Sequence, residues 1–387
     1  MRTRPNPFLA TDGARRRTGW HRLPVTAVQH LTGDAVAVTL DVPDALRATF
    51  AHRPGEHVVV RHRRSGEELR RSYSVCPPPE EPGALRLVIK RGAPDGFGAY
   101  ALTRLAPGDR LELSAPAGAF ALPELPGAHH VLIAGGSGIT PLAAMGASAL
   151  RTDPTCRVHL VHSVPTAADA LLADELALLK DAFVDRFTVL HILTREGRPP
   201  LGGRIDVEGL PRLLAALDIR PGPDTTFALC GPAGLIATVR RALTDAGADP
   251  TLVRSELFAL GDTPPLPPVP GTPPVPGTPL GPGTPLGPGA PRTPEGTRVT
   301  ALYDGHRRVV TAGPRDPALL DALLRDHPDV PYACREGICG SCRAKVLTGE
   351  VATGPQYALD AGQLAAGYTL TCRARPLGSE VTVDFDA

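Results

Sequence analysis

The sequence predicts a multidomain protein with three folded parts: an antiparallel β-barrel, an α/β domain with a parallel sheet, and a C-terminal α+β domain of the β-grasp type. Three observations predict this. Strand-like runs alternate with turn signals over residues 20–125, strands alternate with helices over residues 126–261, and mixed strands with one helix surround a cysteine-rich loop over residues 297–387. Residues 1–19 and 262–296 are expected to be a disordered leader and a Pro/Gly-rich linker.

Length, charge and hydropathy exclude several classes of protein. The chain has 387 residues and a formal net charge of +1, so no strong field points to nucleic acid as a partner. No stretch reaches the roughly eighteen apolar residues of a membrane span, and the amino terminus lacks the apolar run of a secretory signal. Seven cysteines, several in ligand-like spacing, fit a reducing compartment. We therefore expect a cytoplasmic protein with no membrane partner.

The predicted barrel begins near Trp20 and contains about six strands. Breakers such as Pro54-Gly55 and Pro107-Gly108 separate the runs. The predicted strands are 23–28, 35–40, 57–61, 70–74, 85–90 and 110–113.

Arg71, Tyr73 and Ser74 are the candidate cofactor residues of this barrel. We expect them to share one strand face, where the arginine binds a phosphate, the tyrosine stacks on a flat ring and the serine donates to the ring edge. These are contacts that suit a flavin. Because the motif Arg-x-Tyr-Ser is short, an ordinary polar strand face is the alternative.

A glycine-rich turn opens the second domain. The apolar run 131–134 stops at this turn, and a helix is predicted over 142–150. Glycines between a buried strand and a helix let backbone amides approach a pyrophosphate. The turn lacks the pattern G-x-G-x-x-G, so a tight turn without a ligand is the alternative. The candidate nucleotide-binding residues are Gly135, Gly136, Ser137, Gly138 and Thr140.

Two later strand ends carry further candidates. Thr194 and Arg195 are placed to hold a phosphate on an adenosine ribose, and Cys230, Gly231 and Pro232 are placed to touch a nicotinamide. Arginines and Gly-Pro turns are common at strand ends, so neither set is specific alone. The predicted strands are 157–161, 187–193, 226–230 and 251–254, and the predicted helices are 169–183, 207–217 and 233–246.

Four cysteines dominate the last domain. Cys334, Cys339 and Cys342 have the spacing C-x4-C-x2-C, and Cys372 follows after a long gap, which is the plant-type spacing for a 2Fe-2S cluster. Cys372 is predicted in a strand-like run, 368–373. A zinc site or structural thiols are the alternatives, but zinc sites prefer two close pairs and only one C-x2-C pair exists here.

The other predicted features of this domain surround the cysteine loop. Gly337 and Gly340 supply the sharp turns that bring three thiolates together. The predicted strands are 299–303, 308–311, 343–347 and 380–385, and one helix is predicted over 318–326.

Taken in order, these motifs resemble the family of reductases that pair a ferredoxin-NADP reductase module with a plant-type ferredoxin, and within it the reductases that serve the phenylacetyl-CoA ring epoxidase. The resemblance covers residues 20–387 except the linker. The motifs that carry it are Arg70-Arg-Ser-Tyr-Ser74, Gly135-Gly-Ser-Gly-Ile-Thr-Pro141, Cys230-Gly-Pro232, Glu256-Leu-Phe258, Pro331-Tyr-Ala-Cys334, Cys339-Gly-Ser-Cys342-Arg-Ala-Lys345 and Leu370-Thr-Cys372.

The resemblance implies an NAD(P)H-dependent flavin and iron–sulfur reductase. Its implied cofactors are FAD, with FMN as the alternative, a 2Fe-2S cluster, and NADPH, with NADH as the alternative. Its implied electron acceptor is an oxygenase, expected to be the ring epoxidase of phenylacetate degradation. Implied site residues are Arg71 on the flavin phosphate, Tyr73 and Ser74 on the isoalloxazine, Cys230 and Phe258 beside the reacting rings, and Gly96, Phe97 and Gly98 at the flavin-phosphate helix.

Three departures from the family pattern leave alternatives open. Gly98 replaces a serine, Val164-Pro165 replaces an Asn-Arg pair so that NADPH preference rests on Thr194 and Arg195, and the linker is long and proline-rich. The alternatives are a reductase for a Rieske dioxygenase, another multicomponent monooxygenase or a cytochrome P450, and a redox sensor that binds its cofactors without turnover.

Overall fold

The computed structural model describes most of the chain in six stretches. Residues 1–18 of the predicted leader and residues 262–292 of the predicted linker lie outside these described residues. No helix within the described stretches is long and apolar enough to cross a membrane. The described residues are 19–64, 66–76, 83–196, 202–259, 293–359 and 361–387.

The first part is a six-stranded antiparallel sheet, which confirms the predicted barrel. Its elements are β1 (His21–Thr32), β2 (Ala35–Asp41), α1 (Arg47–Phe50), β3 (His57–Arg64), β4 (Glu67–Ser74), β5 (Ala84–Lys90), α2 (Phe97–Thr103) and β6 (Arg110–Leu113). The strand order is β4-β3-β6-β1-β2-β5, and a bridge between Val75 and Leu87 joins the two ends of the sheet. Alternate residues such as Val58 and Val60 are buried inside, because a strand points successive side chains to opposite faces.

The second part is a five-stranded parallel sheet between helices, as predicted. Its elements are β7 (His129–Gly135), α3 (Ile139–Thr152), β8 (Arg157–Val164), α4 (Ala173–Ala182), β9 (Phe187–Leu193), α5 (Gly209–Ala216), β10 (Thr225–Pro232), α6 (Ala233–Asp245) and β11 (Val253–Ala259). The strand order is β11-β10-β7-β8-β9. Because the strands are parallel, the carboxyl ends of all five lie at one edge of the sheet.

Both faces of this sheet are buried, so its strands are nearly continuous apolar runs. Leu132 and Ala134 of β7 pack in a core with α3 and α4, whereas Val131 and Ile133 pack in a second core with α5 and α6. The first core also contains Ala35, Ala37 and Val88 of the barrel, so the first two parts share apolar contacts.

The third part is a mixed five-stranded sheet with a helix packed on it and a two-stranded ribbon beside it. Its elements are β12 (Thr297–Tyr303), β13 (His306–Ala312), α7 (Leu319–Asp326), β14 (Arg343–Thr348), β15 (Val351–Thr353), α8 (Ala361–Ala365), β16 (Tyr368–Leu370), β17 (Ala374–Pro376) and β18 (Glu380–Asp384). The main sheet has the order β13-β12-β18-β14-β16, and β15 pairs with β17. Leu319 and Leu323 of α7 are fully buried against this sheet. This arrangement confirms the predicted α+β domain.

Candidate functional site

Four cysteine thiols meet at one end of the third part. Cys334, Cys339 and Cys342 lie in the loop between α7 and β14. Cys372 lies in a single 3-10 turn that follows β16, so the prediction of a strand at this cysteine was wrong. The amide of Thr371 donates to the carbonyl oxygen of Cys342 over 3.1 Å, which ties the loop to the turn. A turn suits the fourth cysteine because its side chain must bend back toward the loop.

The thiols form two close pairs, Cys334 with Cys339 and Cys342 with Cys372. A hydrogen bond from Cys334 holds the pKa of Cys339 well below its usual range. Together these pairs bring four sulfur donors to one place, which is the number of thiolates that a 2Fe-2S cluster takes.

The loop backbone is sharply turned. Gly337 has φ +77° and Gly340 has φ +69°, conformations that glycine adopts without steric cost. Arg335 shares the left-handed region with φ +61°, and its guanidinium pairs with the carboxylate of Asp321 on α7. The amide of Glu336 lies 3.3 Å from the sulfur of Cys334 and donates to it.

Strand β4 carries the candidate flavin residues of the barrel. Its pairing with β3 is regular up to Ser74, so Arg71 and Tyr73 point to one face and Ser74 to the other. The expectation that all three share a face was therefore wrong for Ser74. The ring of Tyr73 lies 5.9 Å from that of Phe97, and burial raises the pKa of the phenol. An exposed arginine two residues from a partly buried aromatic side chain fits a phosphate-bearing flat ring.

The helix α2 begins beside this aromatic pair, with Gly96 in extended conformation before Phe97. A Cβ atom on Gly98 would come closer than 3.0 Å to the carbonyl oxygen of Lys90 at the end of β5. The glycine at this position therefore has a packing reason, since α2 rests on main chain where a side chain does not fit. The polar groups at the start of α2 are therefore the backbone amides of its first turn.

The glycine turn between β7 and α3 packs directly on the end of β10. A Cβ atom on Gly138 would come closer than 3.0 Å to the carbonyl oxygen of Cys230, and one on Gly135 would meet Pro232 in the same way. Gly136 has φ +53°. No atom lies within 4 Å of a Cβ added at Gly136, so the turn is open at this residue, and its main chain there fits a pyrophosphate.

Thr140 is the second residue of α3. Its side chain is buried and its hydroxyl donates to the carbonyl oxygen of Ser137 over 3.0 Å. The hydroxyl therefore closes the first turn of the helix. His162 on the adjacent strand β8 also reaches the turn, and its Nε2 atom lies 2.9 Å from the carbonyl oxygen of Gly136.

Cys230 and Glu256 are neighbours on the paired strands β10 and β11. Cys230 is fully buried, and the Oε2 atom of Glu256 is withdrawn from solvent. Burial raises the pKa of the Cys230 thiol well above its usual value and that of Glu256 to about 8. Phe258, two residues further along β11, packs against the core shared by the barrel and the α/β domain. The predicted nicotinamide residues thus lie where the first two parts meet.

Thr194 and Arg195 lie at the end of β9, two strands away from the glycine turn in the sheet order. Their amides donate to the carbonyl oxygens of Val164 and Pro165 over 2.8 and 2.9 Å. Neighbouring strands are about 4.8 Å apart, so this end lies on the order of 10 Å from the turn, a distance that suits the ribose end of a dinucleotide. The side chain of Arg195 is exposed.

A cavity of about 520 Å³ lies where the three parts meet. His57 of β3, Glu256 of β11 and the cysteine-loop residues Cys339 and Ser341 all contribute to its wall. The Nε2 atom of His57 lies 3.1 Å from the Oγ atom of Ser341. The cysteine loop therefore faces the junction between the barrel and the α/β domain.

Sequence reasoning missed two further residues, His57 in the wall of the cavity and His162 beside the glycine turn. Both looked like ordinary strand residues, because each contacts a partner distant in the chain. No short-range pattern marks such pairs. The only available signal was that polar side chains occur at positions where a buried strand expects apolar ones.

Models of known domain families match all three parts of the chain. Residues 22–122 match an oxidoreductase FAD-binding domain, residues 132–241 an oxidoreductase NAD-binding domain, and residues 302–377 a 2Fe-2S iron-sulfur cluster binding domain. The chain therefore carries the cofactor domains that its motifs predicted.

Similar proteins match this chain over nearly its whole length. The chain is 36% identical to one of the subunits of 1,2-phenylacetyl-CoA epoxidase of Escherichia coli (strain K12), over 96% of this chain and 99% of that protein. It is 32% identical to the ferredoxin reductase component of 3-ketosteroid-9-alpha-monooxygenase of Rhodococcus rhodochrous, over 94% of this chain and 96% of that one.

Solved structures show the same fold. An intact type IV self-sufficient cytochrome P450 monooxygenase superposes with a TM-score of 0.64 at 23% identity, covering 94% of this chain and 41% of that longer chain. The motifs, the cofactor domains and the full-length similarity agree. This chain belongs to the family of ferredoxin-NADP-reductase-like oxidoreductases that carry FAD-binding, NAD-binding and 2Fe-2S ferredoxin domains.

Proposed function

We propose that this chain is the NADPH-dependent reductase component of an oxygenase that epoxidises the ring of phenylacetyl-CoA. The observation that carries the proposal is the 36% identity to the Escherichia coli epoxidase protein, which extends over 96% of this chain and 99% of that protein. A shared domain alone does not indicate a shared partner, but similarity through all three domains includes the surfaces that a partner meets.

The first two parts would hold the flavin and the nucleotide. Arg71 and Tyr73 are proposed to bind the flavin phosphate and ring, with Ser74, Gly96, Phe97 and Gly98 around them. The turn Gly135, Gly136, Ser137, Gly138 and Thr140 is proposed to hold the pyrophosphate through main-chain amides, with Thr194 and Arg195 at the ribose phosphate. Cys230, Gly231, Pro232 and Phe258 are proposed to position the nicotinamide against the flavin.

The cysteine loop would hold the cluster. Cys334, Cys339, Cys342 and Cys372 are the proposed ligands, and the amide of Glu336 donates to one of these sulfurs. When bound, these groups would supply hydride transfer from nicotinamide to flavin and single-electron transfer through the cluster. The chain contributes position: its fold directs the cysteine loop toward the junction cavity that Glu256 also lines.

A second candidate acceptor is a steroid monooxygenase. The similarity to the 3-ketosteroid-9-alpha-monooxygenase reductase, at 32% identity over 94% of this chain, favours it.

The cytoplasm is the proposed location, because thiolate ligands require a reducing compartment.

Spectra of the purified protein test the reductase function. Anaerobic NADPH should bleach flavin and cluster absorbance together, and NADH in parallel measures the nucleotide preference. In Cys372→Ser the cluster signal and bound iron should be lost while NADPH still reduces the flavin. Cys156→Ser changes a buried cysteine of the α/β domain and is the matched control. This variant should keep the cluster signal, the bound iron and flavin reduction by NADPH.

Reconstitution separates the acceptors. Oxygenase components of the phenylacetyl-CoA epoxidase and of the 3-ketosteroid monooxygenase are each supplied with this protein and NADPH, and product is measured. Turnover with the epoxidase alone supports the proposal, and turnover with the steroid enzyme alone overturns it. A protein that binds both cofactors but does not reduce ferricyanide with NADPH would be a sensor and not a reductase.

A further inference from the structure

Arg70 is a buried charge at a domain boundary. It lies on β4, yet its side chain is only 2% exposed and points away from the flavin candidates Arg71 and Tyr73, which occupy the other face of the strand. A buried guanidinium is costly unless its donors are paired. Its partners therefore indicate what the side chain is for.

Most of those partners belong to the ferredoxin domain. Nη1 donates to the carbonyl oxygen of Val330 over 3.2 Å, and Nη2 donates to that of Pro328 over 2.6 Å. The guanidinium carbon lies 4.0 Å from the ring centre of Tyr332. Within the barrel, Nε donates to Glu68 over 2.7 Å. One side chain thus satisfies two main-chain carbonyls and stacks on an aromatic ring of another domain.

Arg61 supports the same contact from the neighbouring strand. It is the cross-strand partner of Arg70, and it holds Glu112 with two bonds of 2.9 and 2.7 Å. Its Nη1 atom lies 3.5 Å from Asp329, and the ring of Trp20 covers both guanidinium groups. The bond from Arg61 holds the pKa of Glu112 below its usual range, so that carboxylate stays charged.

The segment that these arginines hold, residues 328–332, ends just before Cys334. On the other side of the cysteine loop, His57 contacts Ser341, which lies between Cys339 and Cys342. Barrel residues therefore hold both flanks of the cysteine loop. These polar contacts hold the loop against the barrel, and Ile338 of the same loop packs in the apolar core that α5 and α6 form with β7.

We propose that Arg70 is the anchor that docks the ferredoxin domain on the flavin domain. The contacts of Arg70 are polar, and both the arginine and its carbonyl acceptors are well hydrated when separated, so this contact with the barrel can open without exposing a large apolar surface. The apolar contact of Ile338 is separate, because it joins the cysteine loop to the α/β domain and not to the barrel. The inference deepens the proposed function, because docking sets the distance over which electrons pass from flavin to cluster. It predicts that loss of Arg70 loosens the ferredoxin domain from the barrel while each keeps its own fold.

The test compares Arg70→Met with the matched control Arg63→Met in the full-length, cofactor-loaded protein. Arg63 lies on the neighbouring strand β3 and pairs with Glu68 over 3.3 Å, but its side chain is 69% exposed. X-ray scattering and amide exchange at residues 328–332 measure docking, and stopped-flow absorbance measures flavin reduction and cluster reduction separately. The scattering and exchange measurements do not depend on which oxygenase the protein serves.

In Arg70→Met we expect a larger radius of gyration, faster exchange at residues 328–332, and cluster reduction slowed roughly tenfold or more, the loss expected for two charge-assisted hydrogen bonds. In the same variant, flavin reduction by NADPH should stay at the wild-type rate. In Arg63→Met, the scattering, the amide exchange and both reduction rates should equal those of the wild type. A wild-type radius and transfer rate in Arg70→Met would overturn the proposal.

A second variant covers the case in which Arg70→Met loses its flavin. Tyr332→Leu removes the ring that stacks on Arg70 from the ferredoxin side and leaves β4 unchanged. The same expansion and slower cluster reduction in Tyr332→Leu support the anchor. Unchanged scattering and transfer in this variant, together with flavin loss in Arg70→Met, would assign Arg70 to the stability of the barrel instead.

Discussion

The Nε2 atom of His162 lies 2.9 Å from the carbonyl oxygen of Gly136, so strand β8 holds the glycine turn. A carbonyl oxygen only accepts, and Nε2 therefore carries the ring proton. His162 is fully buried, and Gly136 has φ +53°. The carbonyl of Gly136 and the amide of Ser137 belong to one planar peptide group. Because the bond from His162 fixes the carbonyl, it also fixes the direction of the Ser137 amide.

Removing this donor should weaken nucleotide binding. In His162→Leu we expect the Kd for NADP⁺ to rise roughly tenfold, the effect of one lost buried hydrogen bond, with little change in kcat. His162→Gln retains an N–H donor and should restore part of the affinity. Fluorescence titration of the oxidised protein measures Kd without turnover.

His191 provides the control for this experiment, because its ring lies 5.5 Å from that of His162 on the next strand. His191→Leu should bind NADP⁺ like the wild type. Equal weakening in both leucine variants would mean that the sheet and not the hydrogen bond is responsible.

Burial of His162 also predicts a pH dependence of stability. Burial lowers its pKa to about 4 from its usual value of 6.5. Between these two values the unfolded chain binds the proton and the folded chain does not, so stability falls as pH falls through this window. At pH 5 the loss is on the order of 2 kcal/mol. Melting temperatures at pH 7.5 and pH 5 should therefore differ less in His162→Leu than in the wild type, and an equal difference would contradict the assignment.

The contact between Gly138 and Cys230 predicts a steric effect. In Gly138→Ala the added methyl group meets a carbonyl oxygen closer than real Cβ atoms allow, so the two loops must separate. We expect a loss of stability of about 1–3 kcal/mol, typical of overpacking, and weaker NADP⁺ binding. Calorimetry and titration measure the two effects. Gly33→Ala, where no atom lies within 4 Å of the new Cβ, should change neither.

Arg195 should determine the preference between nucleotides. Its exposed guanidinium is the proposed partner of the ribose phosphate, and that phosphate is present in NADPH and absent from NADH. In Arg195→Ala we expect kcat/KM for NADPH to fall roughly tenfold or more while that for NADH is unchanged. Arg157→Ala removes an exposed arginine from the opposite edge of the same sheet and serves as the control. An equal loss with both nucleotides would exclude phosphate recognition.

Local patterns predicted most of the strands and helices. Alternation of apolar residues placed the barrel strands within a few positions, and the continuous apolar run before Gly135 identified the central parallel strand. The spacing of Cys334, Cys339 and Cys342 predicted that these three converge, because a short loop limits how far apart its side chains can be. In each of these cases the physical cause lies within about ten residues of the feature.

Long-range contacts were not predictable in this way. Arg70 bonds to carbonyl groups 258 and 260 residues further along the chain, and no pattern near Arg70 indicates them. Ser74 was placed on the wrong face because a functional grouping of side chains was preferred to the two-residue period of a strand. Cys372 was assigned to a strand because its neighbours favour β-structure. In the structure it lies in a turn, where the amide of Thr371 bonds to the cysteine loop.

The tight packing at Gly98 also limits how this protein can change during evolution. The resemblance to the family leads us to expect a serine at this position, yet any side chain here would collide with the carbonyl oxygen of Lys90. A serine introduced alone would therefore be rejected on steric grounds, and the end of β5 must move first. Positions 90 and 98 are thus coupled, and a larger residue at position 98 is tolerated only after a change that shifts β5.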